Sequence, residues 1–401
     1  MTTRTRVIVA GAGPVGSVAA YRLAQMGIDV LLLEPNTHCP EDMRASTFHP
    51  PSLDMMEAMG VLDDLVADGL KASVYQYRNR RSGNVISLDM SDIADVARHP
   101  YRLQCEQFKL ARLLTGRLAD HPCGQALFQH RLLSYEQDST GVTVHVESPL
   151  AIDTYRCDYL IGADGASSTV RKWTGLQFDG FTYAERFLTL STDYPVHEHH
   201  PGLALVNYMS DASEWCVLLR VPALWRVLVP AHETESDSTL LGDAKKTAVF
   251  DGLVPDGSSV TTYHRTLYRV HQRVARSFRH GRVLLVGDAA HLNNPLGGFG
   301  MNSGIHDAWN LTDKLRDILL EAADADALLE RYDRQRRTVA SEFVQAQTIR
   351  NKQAMEAATE DGAKSPQEQH MERLASDLEL RREYMIQQAM IRSLEREREI
   401  E

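Results

Sequence analysis

Apolar positions change their period twice within the first thirty-four residues. Arg6 to Ala10 is a short apolar run suited to a buried parallel strand, and from Val15 the apolar positions take helical spacing through Val18, Ala19, Leu23 and Met26. After Gly27, a natural helix stop, Val30 to Leu33 predicts a second strand that ends on Glu34. Gly11, Gly13 and Gly16 fall on the turn between strand and helix. The first permits a tight turn, the second lets backbone N–H groups approach a pyrophosphate, and the third lets the helix pack closely on the strand. The helix dipole then faces the phosphates. The carboxylate of Glu34 stands where it can accept from ribose hydroxyls, so this order of elements predicts a dinucleotide site.

Farther on, Arg102 to Leu118 is helical in period through Phe108, Ala111, Leu114 and Leu118, and Gly141 to Val146 alternates as a strand. Tyr159 to Ile161 reads as a buried strand that delivers Asp164 and Gly165 to a loop. Val283 to Val286 repeats that form, followed by a turn with Asp288, a loop with Gly297, Gly298 and Gly300, and a helix from about Asn302. Between these motifs, residues 176 to 275 change character. Leu203 to Tyr208, Glu214 to Val221 and Trp225 to Val229 are β-rich runs broken by SDAS and Pro222-Ala223, which predicts an inserted antiparallel sheet. Alternation places Cys216, Leu218 and Arg220 on one face, and Val217, Leu219 and Val221 on the other. Tyr208, Arg220 and Trp225 are the candidate substrate-pocket residues.

The fold class is therefore α/β. It comprises a discontinuous Rossmann-like dinucleotide domain over 1–175 and 276–345, an inserted antiparallel β-sheet domain over 176–275, and a C-terminal helical segment over 346–401. In that last segment Leu374, Leu378, Met385, Ala389 and Met390 form an amphipathic stripe that packs on the chain's own body or on a partner subunit, which leaves a homodimer open. Asp361 to Pro366 reads as a connector, and the closing EREREIE as a solvated end.

Composition narrows the partners. A length of 401 residues exceeds one ordinary core. Fifty-four acidic against 43 basic residues give a net charge of −11, which argues against nucleic acid or an anionic membrane as partner. No apolar run approaches the ~18 residues of a transmembrane helix. Five cysteines without CxxC pairing suit reduced thiols in a cytoplasmic protein and no metal site, and the cluster His197, His199 and His200 lacks metal-ligand spacing.

Taken together, GAGPVG, GADG and GDAAHLNNPLGGFGMN resemble the class A flavoprotein monooxygenases, typified by para-hydroxybenzoate hydroxylase, over residues 6 to about 340. FDGFTYAERF, SEWCVLLRVPALWRVLVP and YRVHQRVARSFRHGRV bear a looser likeness to the para-nitrophenol and related phenol hydroxylases. The resemblance implies FAD as cofactor, with NAD(P)H and O2 as co-substrates. It implies hydroxylation of an electron-rich, phenolic aromatic or heteroaromatic ring through a flavin C4a-hydroperoxide. It also implies that Asp288 meets the ribityl chain and that Pro295, Gly298, Gly300, Met301 and Asn302 lie along the isoalloxazine. In this likeness Arg44 stands beside the pyrophosphate, Gln107 or Gln104 near the flavin, and Asp164 where FAD and NAD(P)H are both in reach. Arg171 reads equally as a helix-surface charge, and His291 as structural rather than catalytic. A halogenase or reductase shares this architecture, though the halogenase WxWxIP is absent. The remaining class is a silent FAD-binding protein.

Overall fold

Apolar runs become strands, and helically spaced segments become helices, in the computed structural model, which describes residues 3–41, 43, 45–211, 214–356 and 366–401. In chain order the elements that build the site begin with β1 (Val7–Ala10), α1 (Pro14–Gln25), β2 (Val30–Glu34), α2 (Pro50–Ala58), β3 (Val74–Asn79), β4 (Val85–Asp89), α3 (Gln107–Ala119), β5 (Gly124–Phe128), β6 (Tyr159–Gly162) and α4 (Thr169–Thr174). There follow β7 (Phe178–Thr192), β8 (Val206–Ser210), β9 (Cys216–Arg220), β10 (Trp225–Ala231), α5 (Asp243–Asp251), β11 (His264–Ala275), β12 (Arg279–His280), β13 (Val283–Leu285) and β14 (His291–Leu292). The chain closes with α6 (Phe299–Glu321), α7 (Ala325–Val339), α8 (Ala346–Glu356), α9 (Pro366–Ser376), α10 (Leu378–Gln388) and α11 (Ile391–Glu399).

Two sheets carry the architecture. The first runs β12-β13-β6-β1-β2-β5 and is parallel from β13 to β5. Its central strands β1, β2, β6 and β13 are fully enclosed, as continuous apolar runs require when both faces of a sheet are covered, while the edge strands β5 and β12 are partly exposed. The glycine motifs GAGPVG, GADG and GDAA follow β1, β6 and β13, three adjacent strands, so distant parts of the sequence meet at one sheet edge. The second sheet runs β14-β11-β7-β10-β9-β8-β3-β4, antiparallel except for the β8–β3 pair. It borrows β3 and β4 from ahead of the GADG motif and β14 from behind GDAA, so its borders run wider than residues 176–275.

The register assigns its faces. Thr189, Leu228, Val217, Tyr208 and Tyr77 form one cross-strand row, with Arg226 and Leu219 paired in the next row on the same face. Trp225, Val227, Val229, Cys216 and Leu218 point the other way, into a core completed by Val249 and Phe250 of α5. Period-two geometry permits no mixing of these sets.

Three expectations change. Arg102 to Gln104 is a strand rather than the start of a helix, because it pairs with Thr47–Phe48 and Leu70–Ala72, both distant in sequence. The helix expected from about Asn302 begins at Phe299, after Gly298 turns the chain in the left-handed region. The closing segment is no solvated end: Glu397 of α11 pairs with fully buried Arg336, and Gln335 Nε2 donates to the Glu397 carbonyl at 3.1 Å. Within the tail, Leu374, Met385, Ala389 and Met390 are buried while Leu378 is exposed. Residues 361–365 of the expected connector lie outside the described residues, and Pro366 opens α9. No helix among the described residues is long and apolar enough to cross a membrane.

Candidate active site

A cavity of about 520 Å³ runs from the ends of β1, β2, β6 and β13 to the inner face of the second sheet. At one end it is bordered by backbone. Gly11 takes φ +104°, and a Cβ there would stand 2.5 Å from the Ala163 carbonyl oxygen. A Cβ on Gly16 would stand 1.9 Å from the Gly11 oxygen, which is the close helix-to-turn packing the motif demands. Gly13 has nothing within 4 Å of its missing Cβ and caps α1 at the cavity wall, so its conformation leaves room for phosphate. Glu34 lines the same end. Its Oε2 accepts from the Ala12 amide at 2.9 Å, and its Oε1 from the Asn36 amide at 3.1 Å, which fixes the carboxylate at the end of β2.

Asp164 also lines the cavity, but both its oxygens are engaged. They accept from the Thr169 and Val170 amides at 2.7 and 3.0 Å and from the Ser168 hydroxyl, so Asp164 satisfies the first amides of α4 beside its N-cap Ser168. Burial raises its pKa. Arg171 is not a surface charge. It is buried, donates at 2.9 Å to the Ala289 carbonyl and at 2.7 Å to the Ala166 carbonyl, and lies 3.9 Å over the Phe178 ring. The GADG and GDAA loops are thereby clamped together, with Asp288 facing the cavity between them. Behind the second loop, Asp307 accepts from the Gly287 amide at 3.0 Å, from His291 Nε2 at 2.8 Å and from Arg336 Nε at 2.6 Å. His291 thus braces the loop from within the core.

Pro295, Gly298, Gly300 and Met301 line the middle of the cavity. The helix α6 starts here with no side-chain cap among the described residues, leaving its first amides to a ligand. Asn302 stands behind the loop, where its Oδ1 accepts from the His49 amide and its Nδ2 donates to the Thr47 and Gly298 carbonyls. Gln107 reaches the cavity from the start of α3, and its amide donates to the Ala45 carbonyl at 3.1 Å. Gln104 does not line the cavity; its Oε1 accepts from the Thr47 hydroxyl at 3.1 Å. Arg44 lies outside the described residues.

At the far end side chains replace backbone. Tyr208 lines the cavity, whereas Arg220 and Trp225 do not: they pair with each other on the opposite face, with the Arg220 guanidinium 5.6 Å from the Trp225 ring. In their place stand Thr189, Val217, Leu219, Arg226 and Leu228, together with Tyr268, Arg269 and His271 from β11. Arg226 is buried and donates to Ser46 Oγ at 3.2 Å. Arg102, also buried, donates to the Tyr208 hydroxyl at 3.3 Å and lies 4.0 Å from the Tyr75 ring. It makes no ion pair among the described residues, so its charge is directed at the tyrosines. Burial, with Arg273 and Arg269 close by, lowers the His271 pKa. Sequence reasoning passed over Arg102, Arg226 and His49. Alternation did offer a signal for Arg226, which is paired with Leu219.

This geometry fits a dinucleotide carrying a planar ring: glycine turns for phosphate, an acid at a strand end, uncapped helix amides in the middle and a walled chamber beyond. Comparison with known proteins agrees. The model of the FAD binding domain family matches residues 4–347. Para-nitrophenol 4-monooxygenase of Pseudomonas sp. (strain WBC-3) is 32% identical over 348 residues, covering 86% of this chain and 85% of that protein. The 6-hydroxy-3-succinoylpyridine 3-monooxygenase of Pseudomonas putida is 33% identical over 349 residues, covering 86% and 87%. The crystal structure of p-nitrophenol 4-monooxygenase from Pseudomonas putida superposes with a TM-score of 0.91 at 29% identity over 99% of both chains. The chain belongs to this FAD-binding family, among the class A flavoprotein aromatic hydroxylases, and is an FAD-dependent aromatic-ring monooxygenase that consumes NAD(P)H and O2.

Proposed function

We propose that the substrate is a single aromatic ring with an ionisable hydroxyl, a phenol or hydroxypyridine, bound as its anion against the Tyr208 row. The observation that carries this reading is the pairing of an apolar wall, Val217, Leu219 and Leu228, with two buried guanidinium groups, Arg226 on the wall and Arg102 behind Tyr208. An apolar chamber that excludes water strengthens any charge interaction inside it, so buried cations favour the deprotonated ring. The names of the related nitrophenol and hydroxypyridine monooxygenases describe rings of that kind.

Bound FAD supplies electron transfer from NAD(P)H and the activation of oxygen. The residues proposed to hold it are Gly11, Gly13 and Gly16 at the pyrophosphate, Glu34 at the adenosine ribose, and Asp288 at the ribityl chain. Gly298, Gly300 and Met301 follow along the ring edge, with Arg44, Gln107 and Pro295 flanking and Asp164 and Asn302 shaping the loops. Tyr208 orients the ring hydroxyl, and Arg102, donating to the tyrosine oxygen, leaves the Tyr208 proton for that anion. The Leu219 and Leu228 side chains shield the reacting carbon from water. The unpaired cysteines and the need for NAD(P)H support a cytoplasmic location.

The test is a screen of NAD(P)H oxidation by the flavinated enzyme with 4-nitrophenol, phenol and hydroxypyridines, scored by incorporation of labelled O2 into product. Stimulation by a hydroxylated ring, lost when that hydroxyl is methylated, is the expected result. Flavinated enzyme that ignores every ionisable ring but oxygenates a neutral one would sink the reading.

A further inference from the structure

His49 touches the cofactor loop at two points and solvent at none. It is fully buried at the start of α2, and its backbone amide donates to Asn302 Oδ1 at 2.9 Å. Its Nε2 stands 2.8 Å from the Gly297 carbonyl oxygen. A carbonyl only accepts, so Nε2 carries the hydrogen and the tautomer is fixed. Nδ1 is then a bare acceptor, and it finds no hydrogen-bond partner among the described residues. Burial, followed by the nearby charge of Arg102, pushes the His49 pKa far down, which favours the neutral ring.

What the imidazole holds is an unusual stretch of backbone. Gly297 and Gly298 take φ +107° and +74°, two successive left-handed residues immediately before α6. Their carbonyls are drawn back into the protein body, that of Gly297 by His49 Nε2 and that of Gly298 by Asn302 Nδ2 at 2.7 Å. The Gly298 amide closes the turn on the Pro295 carbonyl at 3.0 Å. With both oxygens withdrawn, Gly300 and Met301 at the start of α6 line the cavity clear of the two glycine carbonyls, with the Asn293 side chain beside Gly300. A rotation of the Gly297 peptide would place a negative partial charge where the helix otherwise presents a positive one.

We infer that His49 is a positioning residue for the flavin: by holding the Gly297 carbonyl out of the cavity it preserves the α6 amide face that favours reduced, anionic flavin over the oxidised form. This concerns the FAD loop alone and does not depend on which ring is hydroxylated. It also predicts a separation of effects, because the glycine turns that grip the pyrophosphate lie elsewhere in the cavity. Loss of the His49 bond alters the balance between redox states more than the affinity for oxidised FAD.

The experiment uses two amide variants of the holoenzyme. His49→Gln places its N–H donor near the position of Nε2, while His49→Asn reaches only as far as Nδ1 and drops the bond to Gly297. Flavin midpoint potential is measured by dye equilibration, and oxidised FAD affinity by fluorescence. In His49→Asn the preference for reduced over oxidised flavin falls about tenfold, a shift of about −30 mV for a two-electron couple, with oxidised FAD bound within about threefold of wild type. His49→Gln recovers more than half of that shift. If His49 merely fills space, both variants lose stability alike and leave the potential in place. Equal potentials in both variants and wild type overturn the inference, as does an equal shift in both or a variant in which FAD is lost outright from His49→Gln.

Discussion

At the nucleotide end of the cavity main chain borders much of the ligand space, at the turns of Gly11, Gly13 and Gly165 and the starts of α1 and α6, with the carboxylates of Glu34, Asp164 and Asp288 beside it. At the ring end side chains dominate, standing on alternate positions of β9 and β10, with Tyr208, Val217, Arg226 and Leu228 forming the wall and successive residues Tyr268 to His271 of β11 closing it. Where backbone packs on backbone, as at Gly11 and Gly16, the first region has no room for a side chain. A pleated sheet separates the chemistry of its faces, so the second region can change one face while the other keeps the fold.

The largest expected effect breaks the first region. Gly16→Ala sets a Cβ 1.9 Å from the Gly11 oxygen, a clash with backbone that cannot be relieved by a rotamer. FAD affinity falls by about 1,000-fold, roughly 4 kcal/mol, and the purified protein is colourless; retention of flavin within tenfold of wild type would show that the turn is looser than its geometry. Val217→Trp probes the ring end. The added rings fill the chamber, so kcat/KM falls about 100-fold while FAD titrates as in wild type, and a parallel loss of FAD would mean that the two ends are not separable.

Acid tests the interior of the nucleotide region. Burial pushes the pKa of His306, on α6, down to about 3, while its unfolded counterpart titrates near its ordinary value of 6.5. Between those values the unfolded chain binds more protons than the folded one, so stability drops as pH falls from 6.5 toward 3. The slope from this one imidazole is about 1.4 kcal/mol per pH unit. Urea unfolding at pH 7 and pH 5 checks it, with His306→Gln expected to remove that slope; an unchanged slope would contradict the assignment. The smallest effect sharpens the second region. Trp225→Phe, on the far face, lowers stability by about 1–2 kcal/mol and leaves KM alone, whereas a marked rise in KM would put the face assignment in error.

The same difference decides what could be read from the chain. Gly11 at φ +104° has no substitute among L residues, so the nucleotide motif announces its conformation through residue type. The order of strand, turn and helix then places it, and Asp288 and Gly298 follow in the same way. Alternation correctly separated Val217 and Leu219 from Cys216 and Leu218 but did not say which set faces the cavity. Side-chain chemistry alone points to Arg220 and Trp225, which stand on the far face, while Arg226, one position beyond Trp225, faces inward. Arg102 was concealed by a helical period that pairing with residues 47–48 and 70–72 overrides. His49 gave no local sign, since Pro50 and Pro51 mark only a helix start and its partner Gly297 is 248 positions away.

The parity of the substrate wall carries an evolutionary consequence. Along β9 and β10 the residues facing the guest occur two apart, between neighbours packed against α5, so a change of diet there needs only replacements in steps of two. Selection can revise that inner row one residue at a time while the outer row goes on specifying the same sheet, and a lineage can pass from one aromatic ring to another without crossing an unfolded ancestor.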